Sequence, residues 1–161
     1  MSLEPQQRVV LENVYVALEN GGFTLEQIAG SNTSVYVSGF NHDHLAILNS
    51  DPETTLRHRV TGLTNFMHSK RVSWFFDLKG PSVTIDTACS SSMAALHLGS
   101  QSLRTGESNM AIITGVTITN YPGKSQVVIT SVSRPLTLMF PSRRPEHNVT
   151  SRLPQSQWSV F

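Results

Sequence analysis

The sequence has a single cysteine, Cys89, and this scarcity excludes two kinds of site. An internal disulfide needs two cysteines, and zinc sites built on several cysteines need at least as many. A lone thiol is typical of a protein kept in a reducing compartment, so we expect a cytoplasmic protein.

Charge and long apolar runs are also scarce. Charged residues make up 14% of the chain, and the formal net charge is +1. Without a basic surplus, we expect neither a nucleic-acid partner nor binding to an anionic membrane. No apolar run approaches the ~20 residues that a membrane-spanning helix needs. The first residues show no signal-peptide pattern, so a membrane partner is not expected either.

Two short motifs of titratable residues are weak signals. His42 and His44 flank Asp43 with no further ligand nearby, a pattern common by chance, and we expect no metal there. Arg57-His58-Arg59 is a basic cluster typical of a solvated face. The alternative for this cluster is contact with a partner subunit or an acidic carrier protein.

The most informative stretch is a strand, a turn and a helix with Cys89 at the turn. Gly80-Pro81 is a turn signal, and residues 83–87 carry β-branched side chains as a strand does. The helix begins within residues 90–92 and ends near Gly106, a residue type favoured just past a helix. Its predicted buried face has apolar residues at helical spacing: Met93, Ala94, Ala95, Leu96, Gly99 and Leu103.

A cysteine at the start of a helix has a chemical consequence. The first turn leaves backbone N–H groups unpaired, and the helix dipole places partial positive charge there, which favours the nucleophilic thiolate. The same groups, including the Cys89 N–H, could hold a developing oxyanion. Small residues around the thiol, Ala88, Ser90 and Ser91, would let an acyl chain approach closely.

Two alternatives for Cys89 stay open at this point. One is a buried, inert core cysteine, since free cysteine is among the most buried residue types. The other is the nucleophile of an unrelated cysteine hydrolase, which would need a histidine close to it in space.

The residues around Cys89 resemble the nucleophile motif of β-ketoacyl synthases. The motif is Asp-Thr-Ala-Cys-Ser-Ser-Ser at residues 86–92, and the flanks at 75–82, 94–98 and 101–107 agree with it. In detail the chain is most similar to the ketosynthase domain of fungal-type iterative type I polyketide synthases. The resemblance runs from about Glu4 to Val116 and implies a partial thiolase-like α/β fold, truncated at both ends.

The resemblance also implies a reaction and partners. Cys89 would take an acyl group from a thioester on the phosphopantetheine of an acyl carrier protein. Decarboxylative condensation with malonyl-carrier protein would then extend the chain, in a homodimer, with no cofactor bound directly. In the family the strand before the cysteine pairs with its mate across the dimer.

Two histidines of the family, in His-Gly-Thr-Gly-Thr and Gly-His contexts, serve the condensation step, and neither motif occurs in this sequence. His97 lies about 12 Å along the helix from Cys89, too far for a hydrogen bond, and is expected to face the core or a partner. His147 lies in the C-terminal stretch. The alternative function is therefore a catalytically dead fragment or interaction remnant without turnover.

Other elements follow from local patterns. We predict a helix over Pro5–Glu19, a capping box at Thr24–Gln27, a strand over Ser34–Gly39, a helix over Leu63–Ser73 and a strand over Asn109–Thr114. The sequence departs from the family pattern at four places: Glu4, Lys70, Trp74 and Thr114. Thr114 replaces a glycine and so bears on close packing of the last strand.

The chain changes character after residue 116. Residues 117–161 hold five of the eight prolines and five basic residues against one acid, Glu146. We therefore divide the chain into a partial β-ketoacyl synthase domain, 1–116, and a divergent tail, 117–161. The tail is expected to be irregular or disordered, or the product of a shifted reading frame, with a candidate strand only at 127–129.

Overall fold

A mixed four-stranded sheet organises the computed structural model, which describes residues 4–39, 43–49, 62–118 and 137–141. The helices are α1 (Pro5–Asn20), α2 (Leu25–Ile28), α3 (Asp43–Asn49), α4 (Met67–Phe75) and α5 (Ser91–Arg104). The strands are β1 (Thr33–Ser38), β2 (Ser82–Ile85), β3 (Met110–Gly115) and β4 (Thr137–Pro141). None of the helices in these ranges has the length and apolar character needed to cross a membrane.

The strands lie in the order β2-β1-β3-β4, with β1 parallel to both β2 and β3. All six residues of β1 are buried, as expected for a central parallel strand covered on both faces. The carboxyl ends of the three parallel strands meet at one edge, where Ser38 pairs with Ile85 on one side and with Gly115 on the other. The predicted α/β class is confirmed.

Helices cover both faces of the sheet. On one face, Val10, Val14 and Leu18 of α1 pack in a cluster that includes Val35, Val37 and Ile112 from the strands, together with Val72, Phe76 and Leu78. On the other face, Ala95 of α5 packs against Tyr36, Ile85 and Ile113. Neighbouring strand residues point to opposite faces, which is why Ile112 and Ile113 belong to different clusters.

The helix predicted from Pro5 forms from Pro5 to Asn20, with proline in its first turn. The capping box is present: Thr24 Oγ1 accepts from the Gln27 N–H (3.4 Å), and Gln27 Oε1 accepts from the Thr24 N–H (3.0 Å). The strand predictions at 34–39 and 109–114 are each displaced by one residue from the observed β1 and β3. Thr114 is 1% exposed and pairs with Val37, so threonine is accommodated in β3.

A buried polar pair joins the starts of α1 and α4. Glu4 and His68 are each 1% exposed, and His68 Nε2 lies 3.3 Å from Glu4 Oε2. His68 Nδ1 lies 2.6 Å from the carbonyl oxygen of Asn65, so both ring nitrogens face oxygen atoms. The departure from the family pattern at Glu4 is thus matched by a histidine that contacts it.

Helix α4 differs from its prediction. It begins at Met67 instead of Leu63 and ends at Phe75; Leu63 is helical, but residues 64–66 separate it from α4. Leu63 is buried, whereas Phe66, which the predicted helix would place on the same face, is 52% exposed. Because the helical segment breaks at residue 64, the spacing of Leu63 and Phe66 no longer defines one face.

The buried face of α5 also differs from its prediction. The buried residues are Ser91, Ala95, Gly99 and Ser102, whereas Met93 is 68% exposed. A Cβ atom built on Gly99 would lie 2.6 Å from Ile113 Cδ1, which is closer than van der Waals contact allows. The helix therefore lies so near the sheet that only small side chains fit beneath it.

Residues 137–141 of the C-terminal stretch form a strand. β4 pairs antiparallel with β3, with Ile112 opposite Met139. We expected an irregular or disordered tail from its composition, so this strand was not predicted. A neighbouring strand supplies hydrogen-bonding partners that the local sequence does not reveal. The candidate strand at 127–129 lies outside the described residues.

The close approach of α5 to the sheet predicts an unusual response to a small substitution. Gly99→Ala should lower the free energy of unfolding by about 1–3 kcal/mol through overpacking, although alanine favours helices. Ile113→Val removes the Cδ1 atom and should cost about 0.5–1.5 kcal/mol alone. In the double variant, the loss of unfolding free energy should be smaller than the sum of the losses in the two single variants. Urea unfolding of all three variants measures this. Additive losses would contradict this packing.

Candidate active site

Cys89 lies at the carboxyl edge of the parallel strands, in a single 3₁₀ turn (Ala88–Ser90) that joins β2 to α5. The thiol is free and the residue is exposed. The alternative of a buried core cysteine therefore does not hold. In α/β proteins, ligands commonly bind beyond the carboxyl ends of parallel strands, so the thiol occupies a position that a substrate can reach.

The turn before the cysteine is strained. Ala88 has a φ of +54°, in the left-handed region. An L-residue there costs roughly 1–2 kcal/mol, and such residues persist where surrounding contacts over-determine the backbone. The strained residue directly precedes Cys89, at the point where the chain has left β2 and the exposed cysteine follows.

The Ser91 side chain holds this turn from inside. Ser91 is 4% exposed, and its Oγ accepts from the Thr87 N–H at 2.7 Å. The same oxygen donates its proton to the Ala88 carbonyl oxygen at 2.7 Å. One hydroxyl therefore bridges the peptide groups on both sides of the strained region.

Two exposed side chains add further hydrogen bonds. Ser90 Oγ lies 2.8 Å from the Thr87 carbonyl oxygen and 2.9 Å from Thr87 Oγ1. Asp86 Oδ1 accepts from the Ala88 N–H at 3.2 Å. Because these groups are in water, each contributes less than a buried bond would.

The first turn of α5 is also tied to the sheet. Ser92 Oγ lies 3.1 Å from Ser38 Oγ at the end of β1. A Cβ atom built on Gly115, at the end of β3, would lie 2.7 Å from Ser38 Oγ and 3.1 Å from Ser92 Oγ. Glycine at this position lets the two strands and the helix meet directly behind the turn that carries Cys89.

No histidine is hydrogen-bonded to Cys89 among the residues that the structure describes. His97 lies two turns further along α5 and is exposed, beside a shallow hollow lined by Met93, Leu96, Ser100, Gln101 and Arg104. The two ring nitrogens of His68 face oxygen atoms of Glu4 and Asn65 instead of the thiol. The hydrolase alternative therefore has no histidine base within the described ranges. His97 is exposed, so the core position expected as one alternative is not observed, and its contact with a partner stays a prediction.

The other candidate residues are in α3 or outside the described ranges. Asp43 and His44 are in α3, and His42 is not described. The described residues hold no group of three or more side chains of the metal-binding types. Arg57-His58-Arg59 and His147 lie outside the described residues.

The sequence placed Cys89 at the turn but missed how the turn is held. Ser91 was expected to be a small residue that makes room for an acyl chain, whereas its side chain is buried and bonded to the backbone. Serine two residues past the cysteine was the available signal, since serine commonly bonds nearby backbone at a helix start. Ala88 and Ser90 are exposed on either side of Cys89 in the chain, and their role in leaving room for an acyl chain stays a prediction.

The exposure of Cys89 makes a prediction about stability and labelling. Cys89→Ala should change the free energy of unfolding by less than about 0.5 kcal/mol, because exposed substitutions away from packed features are nearly neutral. In the native wild-type chain the thiol should react fully with a thiol reagent such as DTNB. A loss above ~1 kcal/mol, or labelling only in urea, would show that the thiol is part of the core.

The sequence model of the family "β-ketoacyl synthase, N-terminal domain" matches residues 1–131. The chain is 58% identical over 120 residues to the highly reducing polyketide synthase tazB of Aspergillus terreus, covering 74% of this chain and 5% of that protein. It is 53% identical over 116 residues to the compactin diketide synthase mlcB of Penicillium citrinum, covering 72% and 4%. The chain thus spans about one twentieth of the length of these relatives.

Solved ketosynthase structures are similar in fold. The ketosynthase from module 6 of the bacillaene synthase of Bacillus subtilis superposes with a TM-score of 0.64 at 30% identity, over 74% of this chain and 19% of that one. An oxazolomycin ketosynthase domain of Streptomyces albus gives 0.57 at 32% identity, over 73% and 26%. These matches confirm the resemblance and the partial thiolase-like α/β fold. From its sequence and its fold alike, the chain belongs to the β-ketoacyl synthase family, as part of the N-terminal domain found in polyketide synthases.

Proposed function

We propose that Cys89 is the acyl-accepting nucleophile of a polyketide-synthase ketosynthase. The observation that carries this proposal is the exposed thiol on a strained turn at the carboxyl edge of the sheet. Family membership supplies the reaction class, and the 86–92 motif lies within the matched residues. The one cysteine of the chain is thus held where an acyl group can reach it.

In the first half of the reaction, the Cys89 thiolate attacks the carbonyl carbon of an acyl thioester. A carbon–sulfur bond forms and the carbonyl oxygen becomes an oxyanion. The bond to the carrier's sulfur then breaks, and that thiolate leaves with a proton from solvent. We propose an acyl carrier protein with phosphopantetheine as the donor, and no cofactor bound directly by this chain.

The Cys89 N–H is the proposed donor to that oxyanion. It forms no hydrogen bond to another part of the described chain, and it stands at the start of α5, where the dipole favours negative charge. Backbone donors fixed in advance stabilise an oxyanion without reorganisation.

The second half, decarboxylation of a malonyl thioester and attack of its enolate on the acyl-cysteine, is proposed for the intact family domain. It needs donors to the enolate oxygen, and the two family histidine motifs do not occur in this sequence. We therefore propose that Cys89 is acylated in this chain by itself, and that the chain by itself does not catalyse condensation. The alternative function is a remnant without turnover.

The proposed partner at the sheet edge is a second copy of the chain. β2 is the edge strand of the described sheet, and Val83 on it is 40% exposed. Large aromatic side chains are exposed at both ends of α4: Phe66, Trp74 and Phe75. An exposed edge strand beside apolar side chains favours pairing with another chain, as expected for the family's homodimer.

The setting we propose is cytoplasmic, without nucleic acid or membrane as partners. The single cysteine has no second cysteine with which to form an internal disulfide, and a free thiol is required for the proposed acylation.

Acyl transfer can be measured directly on the full chain. Incubation with butanoyl-N-acetylcysteamine should add one butanoyl group at Cys89, at least ~10-fold faster than on the chain in denaturant. Cys89→Ala should give no adduct, and intact-mass spectrometry with peptide mapping measures both. Adding malonyl-N-acetylcysteamine should give no β-ketoacyl product. Native acylation no faster than denatured would favour the remnant without turnover.

Dimer formation through the β2 edge can be tested with a matched pair of substitutions. Val83→Lys should raise the dimer Kd at least ~10-fold, about 1.4 kcal/mol, because it places a charge on the pairing edge. Val16→Lys is the control, since Val16 is 48% exposed on α1. Sedimentation velocity over a concentration series measures both. Equal Kd values for the two variants would exclude the β2 edge as the dimer contact.

A further inference from the structure

We propose that Ser91 is a positioning residue for acyl transfer, because its hydroxyl orients the Cys89 N–H toward the developing oxyanion. The inference rests on the proposed role of Cys89 as acyl acceptor. Ser91 does not contact the substrate, and its hydroxyl acts through the peptide group between Ala88 and Cys89.

The hydroxyl has one proton and gives it to that peptide group. Ser91 Oγ accepts from the Thr87 N–H at 2.7 Å, so its proton is free to be donated to the Ala88 carbonyl oxygen, also at 2.7 Å. The side chain is 4% exposed, so water competes little for either bond.

The carbonyl of Ala88 and the N–H of Cys89 belong to the same planar peptide group. In a trans peptide the two bonds point in opposite directions, and the chain has no cis peptide bond among the residues described. Holding the Ala88 oxygen toward the interior therefore aims the Cys89 N–H outward, toward the thiol side. A hydrogen bond received by the carbonyl also polarises the group and strengthens its N–H as a donor.

The backbone beside this peptide is strained. Ala88, whose carbonyl belongs to the peptide, has a φ of +54°, and a residue in this region persists only where surrounding contacts hold the backbone. Asp86 bonds the Ala88 N–H and Ser90 bonds Thr87, but neither contacts the peptide between Ala88 and Cys89 through these bonds. Of these three side chains, Ser91 alone bonds the carbonyl of that peptide, and the same oxygen also accepts from the Ser91 backbone N–H.

Two reactions of the same thiol separate orientation of the N–H from simple loss of structure. Acylation by butanoyl-N-acetylcysteamine passes through an oxyanion, whereas alkylation by iodoacetamide forms a sulfur–carbon bond, releases iodide and makes no oxyanion. A change that only displaces or loosens Cys89 alters both rates. A change that only turns the N–H away alters acylation.

The experiment compares both rates in the full chain for wild type, Ser91→Ala and Thr105→Ala. Ser91→Ala should lower the acylation rate about 10- to 100-fold and change the alkylation rate less than about 3-fold. Thr105→Ala, the control, removes an exposed hydroxyl at the opposite end of α5 and should leave both rates within about 3-fold. Ser91→Thr keeps the hydroxyl and should keep the wild-type ratio of the two rates.

The outcomes are distinguishable. If wild type acylates rapidly and Ser91→Ala keeps the wild-type ratio, or loses both rates in parallel, the role of Ser91 is overturned and the proposed function stands. If wild type acylates no faster than in denaturant, both are overturned. If Ser91→Ala does not fold, Ser91→Thr decides: a wild-type ratio supports the role, and a fallen ratio with unchanged alkylation overturns it.

Discussion

The close contact between α5 and the sheet is the constraint on which the rest of this structure depends. Gly99 and Ala95 leave no space between the helix and the side chains of Ile113 and Tyr36. The helix axis is thereby fixed relative to the carboxyl ends of β1, β2 and β3, and Cys89 lies just before the first turn of that helix. A helix separated from the sheet by longer side chains would tolerate small shifts. A helix whose backbone contacts the side chains of the sheet at a glycine does not.

Around Cys89, short polar side chains add hydrogen bonds that fix the turn and the first turn of α5. Ser92 contacts Ser38 where β1 ends, and Ser91 bonds the backbone of the strained turn. The three consecutive serines thus have separate tasks: Ser90 bonds Thr87 at the surface, Ser91 holds the turn from inside, and Ser92 ties the helix to the sheet. Left-handed backbone at Ala88 is sustained because several bonds act on it together, and each bond alone is worth only about 1 kcal/mol.

In α4 and α5, several large apolar side chains are exposed, whereas in an ordinary amphipathic helix they are buried. On α5 the small residues are buried, and Met93 is exposed beside the hollow near His97. Trp74 and Phe75 are exposed at the end of α4, close in sequence to the β2 edge. In a chain that spans one twentieth of its relatives' length, such surfaces are consistent with contacts to further chain or to a second copy. The β2 edge and the outer surface of α5 are distinct regions of this fold.

Local sequence determined the elements whose signals are local: the proline at the start of α1, the capping box at Thr24, the apolar strands, and the turn that presents Cys89. It also determined the family, because the residues around the thiol follow a specific pattern. Tertiary structure alone decided which face of α5 is buried, since helical spacing cannot tell how near the sheet will approach. It alone paired Glu4 with His68 and placed β4 beside β3, because both depend on residues distant in the chain. It also turned Ser91 inward, since a hydroxyl's partner is set by the backbone geometry around it, and that geometry exists only once α5 rests on the sheet.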